Sequence, residues 1–151
     1  MAEYKTYMKI QKPLNVELSL ELGELIDAQM KECYWNARRA QARRPKLLYV
    51  EGWFYDTELK LPIEHAWLES DAETIDPTLS YLGKDNTFCY FPTVKYTRDE
   101  AVSLWKAGHR VPFLESLYGH NPKIHMTVFV EVFESLGQDM SRLRASLRLD
   151  E

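Results

Sequence analysis

Residues 62–78 read PIEHAWLESDAETIDPT and decide the fold, because two strand-forming stretches flank the polar pair Ser70 and Asp71. Ser and Asp favour tight turns, and the flanking β-branched and aromatic residues favour strands. The stretch therefore predicts a β-hairpin in which His65 faces Asp76. Directly opposed residues have Cβ atoms about 5 Å apart, which lets a carboxylate reach an imidazole nitrogen.

The rest of the chain predicts helices before and after a group of strands that forms a small sheet. Helices are expected at Leu18 to Met30, Cys33 to Ala42, Thr97 to about Ala107, near Pro112 to Tyr118, and Pro122 to about Leu147. Strands are expected at Leu47 to Tyr55, Leu61 to Glu69, Thr74 to Thr78 and Thr87 to Tyr96, with an edge strand or arm at Tyr4 to Gln11. We find no repeat or flexible linker, so we expect residues 1–151 to form one α+β domain. In it, the helix carrying Cys33 packs on a small antiparallel sheet, and further helices follow.

Cys33 is the candidate nucleophile. A cysteine in the first turn of a helix sees the positive end of the helix dipole and nearby amide protons, which favour the thiolate. A His held by an Asp keeps one tautomer and stabilises its imidazolium form when it takes a proton. The order Cys33, His65, Asp76 therefore predicts a catalytic triad.

Other side chains are candidates for supporting roles. Gln29 and Asn36 are candidate donors to an oxyanion, together with the backbone amide of Cys33. Tyr34, Trp35 and Trp67 are candidate walls of a substrate groove, although aromatic residues in strands usually belong to the core.

The local motifs resemble those of the transglutaminase-like superfamily. They read Cys33-Tyr34-Trp35-Asn36-Ala37, then Pro62-Ile63-Glu64-His65-Ala66-Trp67, then Ile75-Asp76-Pro77-Thr78. The resemblance covers residues 29 to 78, and it implies a papain-like fold and thiol chemistry on amides or thioesters. Transamidation, deamidation, peptide hydrolysis and acyl transfer all stay open, with a protein, a peptide or a small amide as substrate. The sequence departs from the superfamily where Lys31 and Glu32 precede the cysteine, because an inward-facing acid opposes thiolate formation.

A second reading is a catalytically silent transglutaminase-like module that binds a protein or nucleic-acid partner. In that reading Cys33 is a small buried apolar residue, His65 is a satisfied core histidine and Asp76 forms a turn. Glu32 favours this alternative, and so does a local basic cluster. The cluster consists of Arg38, Arg39, Arg43, Arg44 and Lys46.

Composition sets the remaining expectations. A formal net charge of -4 argues against nucleic acid as a partner, and no stretch approaches the roughly 20 apolar residues of a membrane span. Two cysteines, Cys33 and Cys89, are too few for a disulfide framework, and the amino terminus lacks an apolar signal segment, so we expect a cytoplasmic protein. We expect no cofactor and no metal, because the sequence has no nucleotide-binding motif and no close metal-ligand spacing.

Overall fold

The computed structural model describes residues 12–56, 60–82, 89–120 and 122–149. The α-helices in these ranges are α1 (Val16–Leu25), α2 (Cys33–Arg43), α3 (Arg98–Lys106), α4 (Phe113–Tyr118), α5 (Pro122–Ser135) and α6 (Ser141–Ser146). The strands are β1 (Leu48–Asp56), β2 (Leu61–Glu69), β3 (Thr74–Ile75) and β4 (Cys89–Tyr96), and a 3-10 helix spans Leu79–Tyr81. The predicted arm at residues 4–11 lies outside the described residues.

The strands form one curled sheet in the order β3-β2-β1-β4, and every pairing is antiparallel. The α+β class is confirmed, and so is the packing of the Cys33 helix on a four-stranded antiparallel sheet with helices after it. Within the described ranges, no helix combines the length and the apolar character needed to cross a membrane.

Helix α2 packs on the sheet through small residues. Ala37 and Ala40 are fully buried, and they belong to the same core cluster as Ala66 and Leu68 of β2. Small side chains let the helix approach the strands closely, which brings its amino-terminal end near the middle of β2. The face of this helix that carries small residues is thus the face that meets the sheet.

The carboxy-terminal helices cover a different part of the sheet. Val128 and Val132 of α5 are buried against Trp53 and Phe91. The single long helix predicted after Pro122 is wrong, because α5 ends at Ser135 and α6 begins at Ser141. Gly137 has a φ of +87° between them, a left-handed conformation that ends an α-helix.

The register of the β2–β3 hairpin differs from the prediction by two residues. Leu68 pairs with Ile75, whereas a register that opposes His65 to Asp76 would pair Leu68 with Glu73. The strand predicted to reach Thr78 ends at Ile75. It ends there because the amide of Asp76 donates to Ser19 Oγ, at 2.8 Å, rather than to a neighbouring strand.

Helix α1 is shorter than predicted, ending at Leu25 rather than Met30. Asp27 and Lys31 have φ values of 53° and 64°, so the connection to α2 is not helical. The side-chain amide of Asn36 holds this connection, because it accepts from the backbone N–H of Gln29 at 3.0 Å and donates to its carbonyl oxygen at 2.8 Å. Both backbone groups of Gln29 are therefore used outside a helix.

Candidate active site

Asp76 is the most firmly held residue of the site. It is fully buried. Its Oδ2 accepts from Tyr90 Oη at 2.7 Å and lies 2.8 Å from His65 Nε2, while its Oδ1 accepts from the amide of Thr78 at 2.9 Å. Three donors on one carboxylate, with the Ser19 bond to its own amide, fix the orientation of the side chain. These donors supply the hydrogen bonds that a carboxylate needs when it is removed from water.

His65 lies between Asp76 and Cys33. Its ring is 3% exposed and sits 4.6 Å from the ring of Phe54 and 6.1 Å from that of Trp67, measured between centroids. Burial lowers the pKa of His65, but the charge and hydrogen bond of Asp76, together with a hydrogen bond to the Cys33 side chain, raise it from 6.5 to about 10. Because Nε2 faces Asp76, Nδ1 is left for the thiol. The ring thus lies between the carboxylate of Asp76 and the side chain of Cys33.

Cys33 is the first residue of α2 and is half-buried. The first intrahelical hydrogen bond runs from the amide of Asn36 to the carbonyl of Glu32, at 2.8 Å. The amides of the first turn therefore have no partner inside the helix and point their positive ends toward its amino terminus. Glu32 is the N-cap residue, its side chain is exposed, and it makes no capping hydrogen bond. The acidic neighbour therefore points away from the buried pair.

Cys33 and His65 share an open groove of about 670 Å³. Apolar side chains make up most of the remaining wall. They are Met30, Phe54, Ile63, Tyr81 and Leu82. Tyr81 is fixed in place because its hydroxyl donates to the carbonyl oxygen of Ala28 at 2.9 Å. The thiol of Cys33 therefore lies in a groove with a largely apolar wall. Its other lining residues are Lys31, Tyr34, Glu64 and Thr78.

A second cavity adjoins the groove. It has a volume of about 390 Å³ and shares Tyr34 and Glu64 with the groove. Burial is the main reason that the pKa of the Tyr34 hydroxyl is raised above its ordinary value, so this hydroxyl stays protonated at neutral pH. Tyr34 therefore lines the groove, as predicted, and contributes a neutral hydroxyl group to it.

The structure does not bring Trp35 and Trp67 into the groove. Trp67 is fully buried in the cluster formed with Val50, Phe54 and Tyr90, as expected for an aromatic residue on a central strand. Trp35 is 45% exposed and makes an edge contact with Trp105 of α3, at 5.3 Å between centroids. Consecutive helical residues differ by about 100° in direction, which separates Trp35 from its neighbour Tyr34.

Gln29 and Asn36 make contacts that do not support the oxyanion role predicted for them. Asn36 is fully buried and donates both amide hydrogens, one to the Gln29 carbonyl and one to Thr78 Oγ1 at 3.0 Å. The side chain of Gln29 is exposed and donates to the carbonyl of Asp27 at 2.8 Å. Of the predicted oxyanion donors, the backbone amide of Cys33 lies in the first turn of α2, and its role stays a prediction.

Two further residues support the site and were missed in the sequence. Tyr90 and Ser19 hold Asp76 from β4 and α1, respectively. Burial and the charge of Asp76 raise the pKa of Tyr90 well above its ordinary value, so its hydroxyl remains a donor. No local sequence signal distinguishes this tyrosine from a core residue, because its partner lies 14 positions away.

Cys89 provides a contrast to Cys33. It packs beside the cluster of Trp53 and Phe91, and burial raises the pKa of its thiol. Among the residues that the structure describes, no group of three or more His, Cys, Asp or Glu side chains has the arrangement of a metal site. A comparison with known protein families, curated proteins and solved structures finds no match for this chain.

Proposed function

We propose that this protein is a cysteine-nucleophile enzyme of the transglutaminase-like, papain-related type that acts on an amide or thioester carbonyl. The observation that carries the proposal is the buried pair His65–Asp76, with 2.8 Å between Nε2 and Oδ2, beside Cys33 at the start of α2. An imidazolium next to a thiol at a helix amino terminus is the arrangement that stabilises a thiolate. The motif resemblance around the same three residues supports the proposal.

The first half-reaction uses the thiolate of Cys33. Sulfur attacks the carbonyl carbon, a C–S bond forms, and the negative charge moves to the carbonyl oxygen. The backbone amide of Cys33 is the donor that stabilises this oxyanion. The C–N or C–S bond to the leaving group then breaks as His65 gives its proton to the departing nitrogen or sulfur. The product is a thioester on Cys33 and a neutral His65.

The second half-reaction restores the enzyme. His65 removes a proton from water or from an amine, which attacks the thioester carbonyl. The C–S bond breaks, the thiolate returns, and His65 is again an imidazolium. Water gives hydrolysis or deamidation, and an amine gives transfer. Asp76 stabilises the imidazolium whenever it forms and keeps Nδ1 directed at the sulfur.

The experiment is alkylation by iodoacetamide in a Cys89→Ser background, where Cys33 is the remaining thiol. An ordinary thiol slows on the order of a hundredfold between pH 8 and pH 6, because its thiolate fraction falls by that factor. We expect Cys33 to slow by less than about tenfold over this range. Replacing His65 by Ala should restore the ordinary dependence, and His109→Ala serves as the matched control.

Acyl transfer is tested separately by mass spectrometry after incubation with an aryl acetate. An acetyl group on Cys33 that disappears with time, and that does not form in Cys33→Ala, supports the thioester route. A thiol that shows the ordinary pH dependence and is indifferent to His65→Ala overturns the enzyme proposal. That result would favour the catalytically silent module.

A further inference from the structure

A basic and aromatic surface lies on the far side of α2 from the groove. We call it the Arg–Trp surface. Ring and cation–π contacts join Trp35, Arg38, Trp105 and Arg110, and Arg98 belongs to it because its charge acts on Arg38. The guanidinium carbon of Arg110 lies 4.0 Å from the ring centroid of Trp105, and that of Arg38 lies 4.9 Å from the same ring. Cation–π contacts of this kind hold an arginine in one orientation.

Most of the basic cluster seen in the sequence has internal partners or is fully exposed. Arg39 donates to the carbonyl oxygen of Ile26, where it stabilises the end of α1. Arg44 lies 3.9 Å from the carboxylate of Glu21. Arg43 is exposed at the last turn of α2, where a cation complements the helix dipole. Arg38 is different from these three.

Among the residues that the structure describes, Nε of Arg38 has no hydrogen-bond acceptor, and the contacts of its guanidinium group are with the rings of Trp105 and Phe113. Its Nε is buried, and the ring of Phe113 lies 5.5 Å from its guanidinium carbon. Burial lowers the pKa of Arg38; the interaction with the Tyr49 hydroxyl opposes this change, and the positive charge of Arg98 adds to it. A fixed guanidinium beside a second cation lacks the anion that such groups usually bind.

We propose that the Arg–Trp surface binds an acidic segment of a partner protein, with a carboxylate on Arg38 and Arg98 and an apolar side chain against Trp35. The fork of a guanidinium matches a carboxylate with two parallel hydrogen bonds. Trp35 is 45% exposed and supplies the apolar contact next to the charge. Tryptophan and arginine are the residue types most enriched at the centres of protein interfaces.

Two observations favour a protein over a nucleic acid. The chain carries a formal net charge of -4, which repels a long polyanion but tolerates a short acidic segment. Single-stranded nucleic acid also needs several free aromatic faces for successive bases, whereas here two guanidinium groups lie against Trp105. Of the two tryptophans of this surface, Trp35 is therefore the one whose ring is available to a ligand.

The test is a titration followed by the indole N–H resonance of Trp35 in the full-length protein. The probes, at one fixed ionic strength, are a capped hexapeptide of glutamates and leucines, its glutamine counterpart, oligothymidylate and inorganic phosphate. We expect saturable shifts with the acidic peptide, weakened by added salt. Its dissociation constant should rise at least about fivefold in Arg38→Gln and in Arg98→Gln, and less than about twofold in the matched control Arg43→Gln.

The proposal is overturned if the acidic peptide gives no saturable shift or if Arg43→Gln weakens it as much as Arg38→Gln does. Equal or tighter binding of oligothymidylate replaces it with a nucleic-acid surface, and equal binding of phosphate reduces it to a general anion site. Should Arg38→Gln unfold the protein, as judged by circular dichroism, Arg98→Gln decides the outcome. The readout does not involve Cys33, so it is independent of the proposed enzyme activity.

Discussion

His65 and Asp76 are diagonal neighbours on the sheet, joined by a contact of 2.8 Å between Nε2 and Oδ2. Asp76 follows directly after β3. Leu68 pairs with Ile75, and extending this antiparallel register by one residue sets Asp76 opposite Trp67. Side chains two residues apart on a strand share one face, so His65 lies on the same face as Trp67. Asp76, opposite Trp67, therefore reaches His65 diagonally on that face. Each is at most 3% exposed. The two residues thus form a buried ion pair. Replacing either one leaves the charge of the other buried without a counterion.

Asp76→Asn should make Cys33 less reactive while the site keeps its shape. The amide is nearly isosteric with the carboxylate but no longer stabilises the imidazolium of His65. In the Cys89→Ser background we expect the alkylation rate at pH 6 to fall on the order of tenfold or more. Asp71→Asn, the same change at an exposed turn, is the control and should leave the rate unaltered. Equal rates in both variants would show that Asp76 does not act through His65.

Stability should fall as the pH rises above neutrality. His65 binds its proton more tightly in the folded state, with a pKa of about 10 against 6.5 when unperturbed. The contribution of His65 to the free energy of unfolding is therefore complete below pH 6.5. It is lost as the pH rises toward 10, by up to about 1.4 kcal/mol per pH unit. Urea unfolding of the parent and of His65→Gln measures the slope. The variant should lack this component, and parallel curves for the two proteins would contradict the assignment.

Tyr90→Phe should reduce the free energy of unfolding by about 1.5–3 kcal/mol, because it removes a hydrogen bond to a buried charged group. Tyr81→Phe is the matched control, since its hydroxyl donates to the neutral carbonyl of Ala28 at a half-exposed position. That control should cost about 0.5–1.5 kcal/mol. Chemical denaturation of both variants gives the comparison. A smaller loss for Tyr90 than for Tyr81 would mean that the Asp76 bond is not stabilising.

Gly23→Ala should destabilise the protein although Ala is the better helix former. A Cβ at position 23 would lie 2.6 Å from the carbonyl oxygen of Pro77, the residue after Asp76. Relieving that overlap should cost about 1–3 kcal/mol and should slow Cys33 alkylation by displacing Asp76. Glu24→Ala, one residue along the exposed side of α1, should change stability by less than about 0.5 kcal/mol. Unaltered stability in Gly23→Ala would show that α1 and this loop move apart freely.

Local sequence signals predicted several parts of the fold well. The strand at Leu61–Glu69 and the start of α2 at Cys33 have the predicted bounds. The helix predicted from Thr97 begins at Arg98, with Thr97 as its N-cap and both hydrogen bonds of a capping box with Glu100. These features depend on residues within a few positions of one another, so propensity and capping are enough to specify them. The approach of His65 to Asp76 was also predicted, although through a register that is wrong by two residues. A shift of two preserves the face of the strand, which is why the contact forms despite the error.

The sequence by itself determined the order of helices and strands as far as α4, the helix that begins at Cys33, and the approach of His65 on β2 to Asp76 directly after β3. Only the tertiary structure decided that Ser19 and Tyr90 hold Asp76, that Asn36 is bonded to Gln29 and Thr78, and that Trp67 is buried. It also left Arg38 without a counterion among the described residues. These contacts join segments up to 57 positions apart. Such partners depend on how the elements pack against one another, which local propensity does not encode.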